Sequence, residues 1–331
     1  MAGLAAAARA RELGAEPLVL EKGDRPGGSM LLSSCVIWRY RTLEEFRKQC
    51  PGGDPALQQV IVERLDESLE WLESLGAPVV ERTTGNPLTV GMRFDPRGLT
   101  EALARDVRLR EPVGEVDGAL VLATGGFPVR LARERGLMLR ANRWSEGDGL
   151  AFGLARGAQT AGDLTEFYGR AMPAVEAVPE GDFVRATQLY GKYARVASHD
   201  MSRRFEGEPN WAETDLVQEI ATWPNALAWY TVNRSVLDTK VRDRTVGQMI
   251  DAAREAGAPV EEADGEVSVL VRPGVTQTLG GLRIDERARV VGAEALYAAG
   301  ADVGGISTGG YSSGLAAALV FGRIAAEEAL S

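Results

Sequence analysis

Three stretches of this sequence pair glycines with hydroxyl or carboxylate side chains at spacings that suit an extended, phosphate-bearing ligand. In the first, Gly3 opens an Ala-rich run and Glu21 follows 18 residues later, closing the segment P-L-V-L-E. A dinucleotide-binding unit runs strand, G-x-G-x-x-G turn, helix, second strand, acidic residue. The third glycine lets helix and sheet pack closely, and the carboxylate hydrogen-bonds a ribose diol. Gly3 and Glu21 match those two places, and the first strand with its two glycines would lie before Met1. An ordinary αβ unit whose strand happens to end in Glu has the same pattern, so this signal gains weight only beside the others.

Residues 26–34, P-G-G-S-M-L-L-S-S, put Gly28 beside Ser29, Ser33 and Ser34, where bare backbone and hydroxyl groups can approach a ligand. Residues 121–127, V-L-A-T-G-G-F, deliver Ala123, Thr124 and Gly125 at the end of an apolar run, the end at which α/β sheets bind ligands. Residues 296–326 place Asp302 after Gly300, then a glycine-rich loop that feeds a helix near Ser313 and Leu315. The N-terminus of that helix can stabilise negative charge, such as that developing on a reduced flavin ring. Each stretch also reads as a turn beside a strand.

The elements that must position these residues are legible in outline. Residues 2–13, 42–48, 56–75, 99–104, 246–255 and 313–330 read as helices; Gly14, Gly76 and Gly257 end three of them. Residues 17–21, 119–123, 226–232 and 295–299 read as strands. The middle of the chain is aromatic: four of seven Tyr and three of six Trp fall within 167–232. Strand–turn–helix units at both ends around such a middle predict an α/β fold, a Rossmann-like domain interrupted by an inserted α+β domain.

Bulk properties exclude several classes. The 331 residues carry 37 Lys and Arg against 47 Asp and Glu, a net charge of −10, which repels phosphate backbones and argues against nucleic acid. Two cysteines, Cys35 and Cys50, and one histidine, His199, make a zinc or other transition-metal site improbable. No G-x-S-x-G occurs, and a serine triad would depend on His199 alone. Residues 303–322 lack the greasy continuity of a membrane span, and no secretory signal opens the chain, so a cytoplasmic location is expected.

The segments E-K-G-D-R-P-G-G-S, V-L-A-T-G-G-F, W-S-E-G-D-G-L, R-R-F-E-G-E, T-L-G-G-L-R-I-D and L-Y-A-A-G-A-D…G-L-A-A-A-L-V-F-G-R occur in one order across nearly the whole chain. Together they resemble the flavoprotein family of fumarate reductase, succinate dehydrogenase and 3-ketosteroid dehydrogenase. The resemblance implies FAD held along Gly3, Glu21, Lys22, Gly28, Ser29, Ala123, Thr124, Gly125, Asp302, Ser313 and Leu315; the residues of P-G-G-S-M-L-L-S-S themselves add Ser33 as a candidate hydroxyl donor to the cofactor. It implies an FAD-binding domain over 1–167 and 277–331 and a capping domain over 168–276. The implied reaction creates or reduces a carbon–carbon double bond beside a carbonyl or carboxylate, with a small-molecule substrate and an electron partner that the residues do not specify.

The sequence departs from the fumarate reductases at the reacting centre. Met172 and Gln277 stand near positions where His is expected, and no Arg lies in S-T-G-G-Y-S-S-G-L or after R-R-F-E-G-E in P-N-W-A-E-T-D-L. Fewer cationic contacts argue against fumarate itself. The remaining candidates for chemistry are Tyr311, whose phenol could donate to a carbonyl oxygen; Gln277, which could hydrogen-bond substrate; and Tyr168, with Arg170, at the opening of the cap. A packing role suits Tyr311 equally, Gln277 could instead simply satisfy backbone groups, and Arg170 is expected as a surface charge. His199 reads as a turn residue, Arg204 as a tie within the cap, and Cys35 as either a flavin neighbour or a small buried residue. Two other readings stay open: a truncated or degenerate relative without catalysis, and an NAD(P)-linked dehydrogenase, since Glu21 suits the ribose of NAD equally. Residues 105–120 also run shorter than the family pattern, as if a β segment were lost.

Overall fold

A computed structural model describes residues 1–114 and 118–331. The stretch 105–120 includes three residues outside that set, so its expected loss of a β segment lies partly outside the described residues. The chain divides into two compact units, Met1–Val129 with Asn142–Glu166 and Gln277–Ser331, and Arg130–Ala141 with Phe167–Thr276.

In the first unit, two helices of small residues lie against one another. Ala2–Glu12 buries Ala2, Leu4, Ala5, Ala6, Ala7 and Ala10, and Gly314–Ala329 buries a continuous run from Ala316 to Ala326. Small side chains permit the approach: a Cβ added at Gly322 would stand 2.6 Å from the Ala2 carbonyl oxygen. Pro55–Ser74 starts at Asp54, whose carboxylate accepts from the Ala56 N–H at 2.9 Å, with Pro55 in the first turn where its missing N–H costs nothing. Leu57, Ile61, Leu65, Leu69 and Leu72 form its buried stripe, each stabilising by about 1.5–3 kcal/mol through burial.

The strands of this unit are short. Val19–Glu21 pairs in parallel with Val107–Leu109, and Leu120–Leu122 pairs in parallel with Leu296–Ala298. Among the described residues no strand joins the two pairs, although Ala2–Glu12 touches both. Val36–Tyr40, Thr89–Phe94 and Val79–Glu81 form a separate antiparallel sheet. There Gly91 lies opposite Trp38, where a Cβ would fall 2.1 Å from the Ile37 carbonyl oxygen.

The second unit is built on the long strand Glu266–Thr278, of which the residues through Thr276 belong to this unit. It pairs antiparallel with Ala228–Asn233 and Val260–Ala263, and in parallel with Met138–Leu139; it also pairs with Phe167–Pro173. Arg195–Ser198 adds beyond Ala228–Asn233. Val267, Val269 and Val271 alternate inward with a period of two. The helix Val246–Glu255 opens with a capping box, Thr245 and Gln248 each accepting from the other's backbone N–H, and buries Val246, Met249, Ile250 and Ala253 on one stripe.

No helix among the described residues is long and apolar enough to cross a membrane.

Candidate functional site

The two parallel pairs of the first unit present their carboxyl ends through one knot of hydrogen bonds. After Leu296–Ala298 the backbone turns at Gly300, φ +73°, and Asp302 follows at 1% exposure. Its Oδ1 accepts from Thr124 Oγ1 at 2.8 Å and from the Gly126 N–H at 3.0 Å, and its Oδ2 accepts from the Thr124 N–H. Burial pushes this carboxyl above its ordinary range, against the pull of the Thr124, Gly126 and Gly125 donors. Asp302 is therefore occupied by protein groups, and it locks the loop after Leu296–Ala298 to the loop after Leu120–Leu122. Only glycine fits the receiving loop: Gly126 has φ +69°, and a Cβ there would lie 2.5 Å from Thr278 Oγ1 and 2.6 Å from the Ala301 carbonyl oxygen.

The segment W-S-E-G-D-G carries this knot to the other strand pair. The Gly149 N–H donates to Thr124 Oγ1 at 3.0 Å, and the neighbouring Asp148 receives Lys22 Nζ at 2.8 Å. Lys22 also reaches Glu146 Oε2 at 2.6 Å. Its ammonium, expected to hold a cofactor, is thus shared by two carboxylates. Glu21, next in the chain, accepts from the Gly23 N–H through Oε1 at 2.7 Å, and its Oε2 has no hydrogen-bond partner among the described residues. Glu21 and Asp302 are in this way linked by a short relay of contacts through Lys22, Asp148, Gly149 and Thr124. Nothing in the single sequence pointed to Glu146 and Asp148 as the partners of Lys22, although the motif holding them stood out.

Gly3 begins its helix where a Cβ would meet Ala123 Cβ at 3.3 Å, a close helix–strand approach. Gly28 has φ +55°, and Ser29 Oγ accepts from the Asn142 N–H at 3.0 Å. Ser33, expected as a free donor, is used locally: its Oγ donates to the Met30 carbonyl at 2.8 Å and accepts from the Cys35 N–H at 3.0 Å. Cys35 is buried with φ +53°, and burial pushes its thiol up to about 12.

Next to the Asp302 loop lies a small hollow of about 10 Å³, room for about one water, lined by Gln277, Thr278, Leu279, Gly300, Val303, Ile306, Ser307, Gly314 and Ala317. Thr278 Oγ1 is buried there without a hydrogen-bond partner. Ser313 caps the Gly314–Ala329 helix, its Oγ accepting from the Ala316 N–H at 3.3 Å, so the positive end of a 16-residue helix meets the hollow. Leu315 is half-buried on the first turn. Gln277 lies against Gly314, where a Cβ would come within 1.9 Å of its Oε1. Tyr311 does not line the hollow: its ring stands edge-on to Trp38 at 5.5 Å, and its carbonyl accepts from Tyr40 Oη at 2.7 Å.

With this arrangement established, the comparisons with known proteins decide the family. The family described as FAD binding domain matches residues 1–113 and 104–315. The chain belongs to this FAD-binding family. Its fold is shared by a flavocytochrome c3 fumarate reductase, at 20% identity and TM-score 0.71, over 100% of this chain and 77% of that one. It is shared by the 3-ketosteroid-Δ4-(5α)-dehydrogenase from Rhodococcus jostii RHA1, at 16% identity and TM-score 0.70, over 100% and 95% of the two chains. The 3-ketosteroid Δ1-dehydrogenase from Sterolibacterium denitrificans also shares it, at 13% identity and TM-score 0.66, over 99% and 97%. A comparison with curated proteins returns no match.

The residues present fit FAD. The orphaned Thr278 hydroxyl and the N-terminus of Gly314–Ala329 can donate to the polar middle of the nucleotide, while Glu21 Oε2 is left for a ribose hydroxyl. FAD is the cofactor of the family, and the NAD(P) reading loses its support. No cluster of three metal-ligating side chains occurs among the described residues.

The second unit holds the other candidates. Tyr168 is buried, with the Arg170 guanidinium 5.1 Å from its ring centroid. Arg170 is not the surface charge expected of it: it is 3% exposed and donates from Nη1 to the Ala212 carbonyl at 2.5 Å. A buried arginine satisfies its donors on carbonyls and carboxylates that lie far apart in sequence, which composition does not reveal. Met172 is fully buried and accepts from Thr187 Oγ1 at 3.6 Å. His199 sits in the turn after Arg195–Ser198, with Nε2 3.4 Å from Asn225 Nδ2, and Arg204 bridges back to Ala197.

Proposed function

We propose that the protein is an FAD-dependent oxidoreductase that introduces or reduces a carbon–carbon double bond next to a carbonyl or carboxylate. The observation that carries this reading is the FAD-binding family match, read together with the helix N-terminus at Ser313 and the orphaned Thr278 hydroxyl of the same unit. FAD, when bound, supplies the acceptor or donor of hydride. The chain's own groups position and polarise: the helix N-terminus favours negative charge, and Gln277 hydrogen-bonds a substrate oxygen without titrating. Tyr311, its ring braced by Trp38, donates to or exchanges a proton with a carbonyl oxygen, and Tyr168 is a second phenol for that role.

In this reading residues 1–167 and 277–331 bind FAD, residues 168–276 cap the substrate, and the protein works in the cytoplasm on a small molecule with a separate electron partner. Met172 and Gln277, in place of histidines, favour an uncharged ketone over a dicarboxylate. Two structures that share the fold hold steroid diones. The test is an absorbance spectrum of the purified protein: a flavin band that bleaches anaerobically with a 3-ketosteroid supports the reading. Colourless protein that takes up no added FAD overturns it. That second outcome would favour a relative without catalysis, a reading suggested by the two strand pairs that no described strand joins.

A further inference from the structure

The second unit encloses a group of polar side chains that the proposed redox chemistry does not use. Glu213 is 5% exposed, with φ +53°, and its carboxylate faces the backbone N–H groups of Gly191 and Lys192. Its other oxygen, Oε2, has no hydrogen-bond partner. Tyr190 and Tyr230 are fully buried, their rings 5.7 Å apart and nearly perpendicular, and both hydroxyls lack a partner. Thr214 Oγ1, next to Glu213, is a fourth such atom. Arg170 approaches from Phe167–Pro173, bonded to the carbonyl of Ala212, the residue before Glu213.

Buried polar atoms in folded proteins are almost always hydrogen-bonded, and dry ones are costly. The rings of Tyr190 and Tyr230 meet, and Glu213 acts electrostatically on both phenols, so three of these atoms call for one occupant. Its chemistry follows from what surrounds it. Two phenols can each donate or accept, Glu213 Oε2 offers a further polar atom, and the Arg170 guanidinium lies near enough to act on the Glu213 carboxyl. An anion would meet the carboxylate, and a cation would meet Arg170. A neutral molecule that both donates and accepts, and is small enough to sit among packed rings, satisfies every group.

We propose that ordered water occupies this cluster and joins Glu213 Oε2 to the hydroxyls of Tyr190 and Tyr230, forming a buried, hydrated acid–phenol site within the second unit. The charged and titratable groups around Glu213 are Arg170 and Arg242, which hold its carboxyl down, Asp215 near Tyr230, and the two phenols. Burial outweighs them and pushes the Glu213 carboxyl up.

The test compares tyrosine-to-phenylalanine variants of the full chain. A hydroxyl that bonds water is lost at a cost, so Tyr190→Phe and Tyr230→Phe each lower Tm by about 2–4 °C. A dry hydroxyl is better replaced by hydrogen, so an unchanged or raised Tm in both variants overturns the proposal. Should one variant fail to fold, the other carries the same comparison. A crystal structure of the parent protein gives the independent readout. A water peak about 2.6–3.2 Å from Glu213 Oε2 and from at least one of the phenol oxygens is expected. A cluster closed without solvent, or filled by an ion, overturns it.

Discussion

Replacing Gly126 by alanine tests whether the glycines after Leu120–Leu122 are there for geometry. Two separate penalties act at that position. Gly126 has φ +69°, a conformation that costs an L-residue about 1–2 kcal/mol. Its added Cβ would also lie 2.6 Å from the Ala301 carbonyl oxygen, a backbone atom that cannot rotate away, and 2.5 Å from the buried Thr278 Oγ1. Overpacking of this kind costs a further ~1–3 kcal/mol. Gly76 isolates the first penalty, since it has φ +81° with nothing within 4 Å of the added carbon. Gly126→Ala is therefore expected to unfold about 1–3 kcal/mol more easily than Gly76→Ala, roughly 2–12 °C lower in Tm. The shift pushes Ala301 and Asp302 away from Thr124, so Gly126→Ala also loses bound flavin, while Gly76→Ala keeps it. Thermal unfolding and the flavin-to-protein absorbance ratio measure both. Equal midpoints for the two variants, with equal flavin content, would refute the geometric reasoning.

Glu166 supplies a pH dependence. Burial raises its carboxyl against the Gly309 N–H that donates to it at 2.8 Å, with Asp163 adding to the rise. Its native form binds the proton more tightly than the unfolded chain, so its contribution is full at low pH and falls away as pH rises through the shifted value; Glu166→Gln is expected to flatten that part of a Tm-versus-pH profile. Burial holds the thiols of Cys35 and Cys50 up at about 12, so neither should react with a thiol reagent near neutral pH until the protein is denatured. Tyr311→Phe keeps the ring edge-on to Trp38 and removes one phenol oxygen, so Tm should fall by no more than about 4 °C. If the phenol exchanges a proton with substrate, steady-state assays of the same variant should show kcat reduced by about 10²–10⁴.

What the residues dictate locally is legible without a structure. The Ala-rich runs closed by Gly14 or capped by Ser313, and the Leu-bearing run closed by Gly76, become helices where expected, and apolar runs such as Leu120–Leu122 and Leu296–Ala298 become strands. These signals survive because periodicity, capping and turn residues act over a few residues and need no distant partner. The glycines of V-L-A-T-G-G-F belong with them, since a positive φ is a property of one backbone position.

Partnership was decided only by tertiary structure. Asp302 is expected from sequence to meet the cofactor, and only the structure shows that Thr124 and Gly126, 178 and 176 residues earlier, donate to its carboxylate. Lys22 is expected to do the same, and only the structure shows its ion pairs with Glu146 and Asp148. Arg170 looked like a surface cation and is buried on Ala212. Arg130–Ala141 groups with the second unit because Met138–Leu139 pairs with Gly274 and Val275, a pairing that no local pattern encodes. A side chain's type states what bonds it can make. Which group makes them depends on the chain reversals that bring remote segments within 3 Å, and those are set by the packing of the whole unit rather than by any window of sequence.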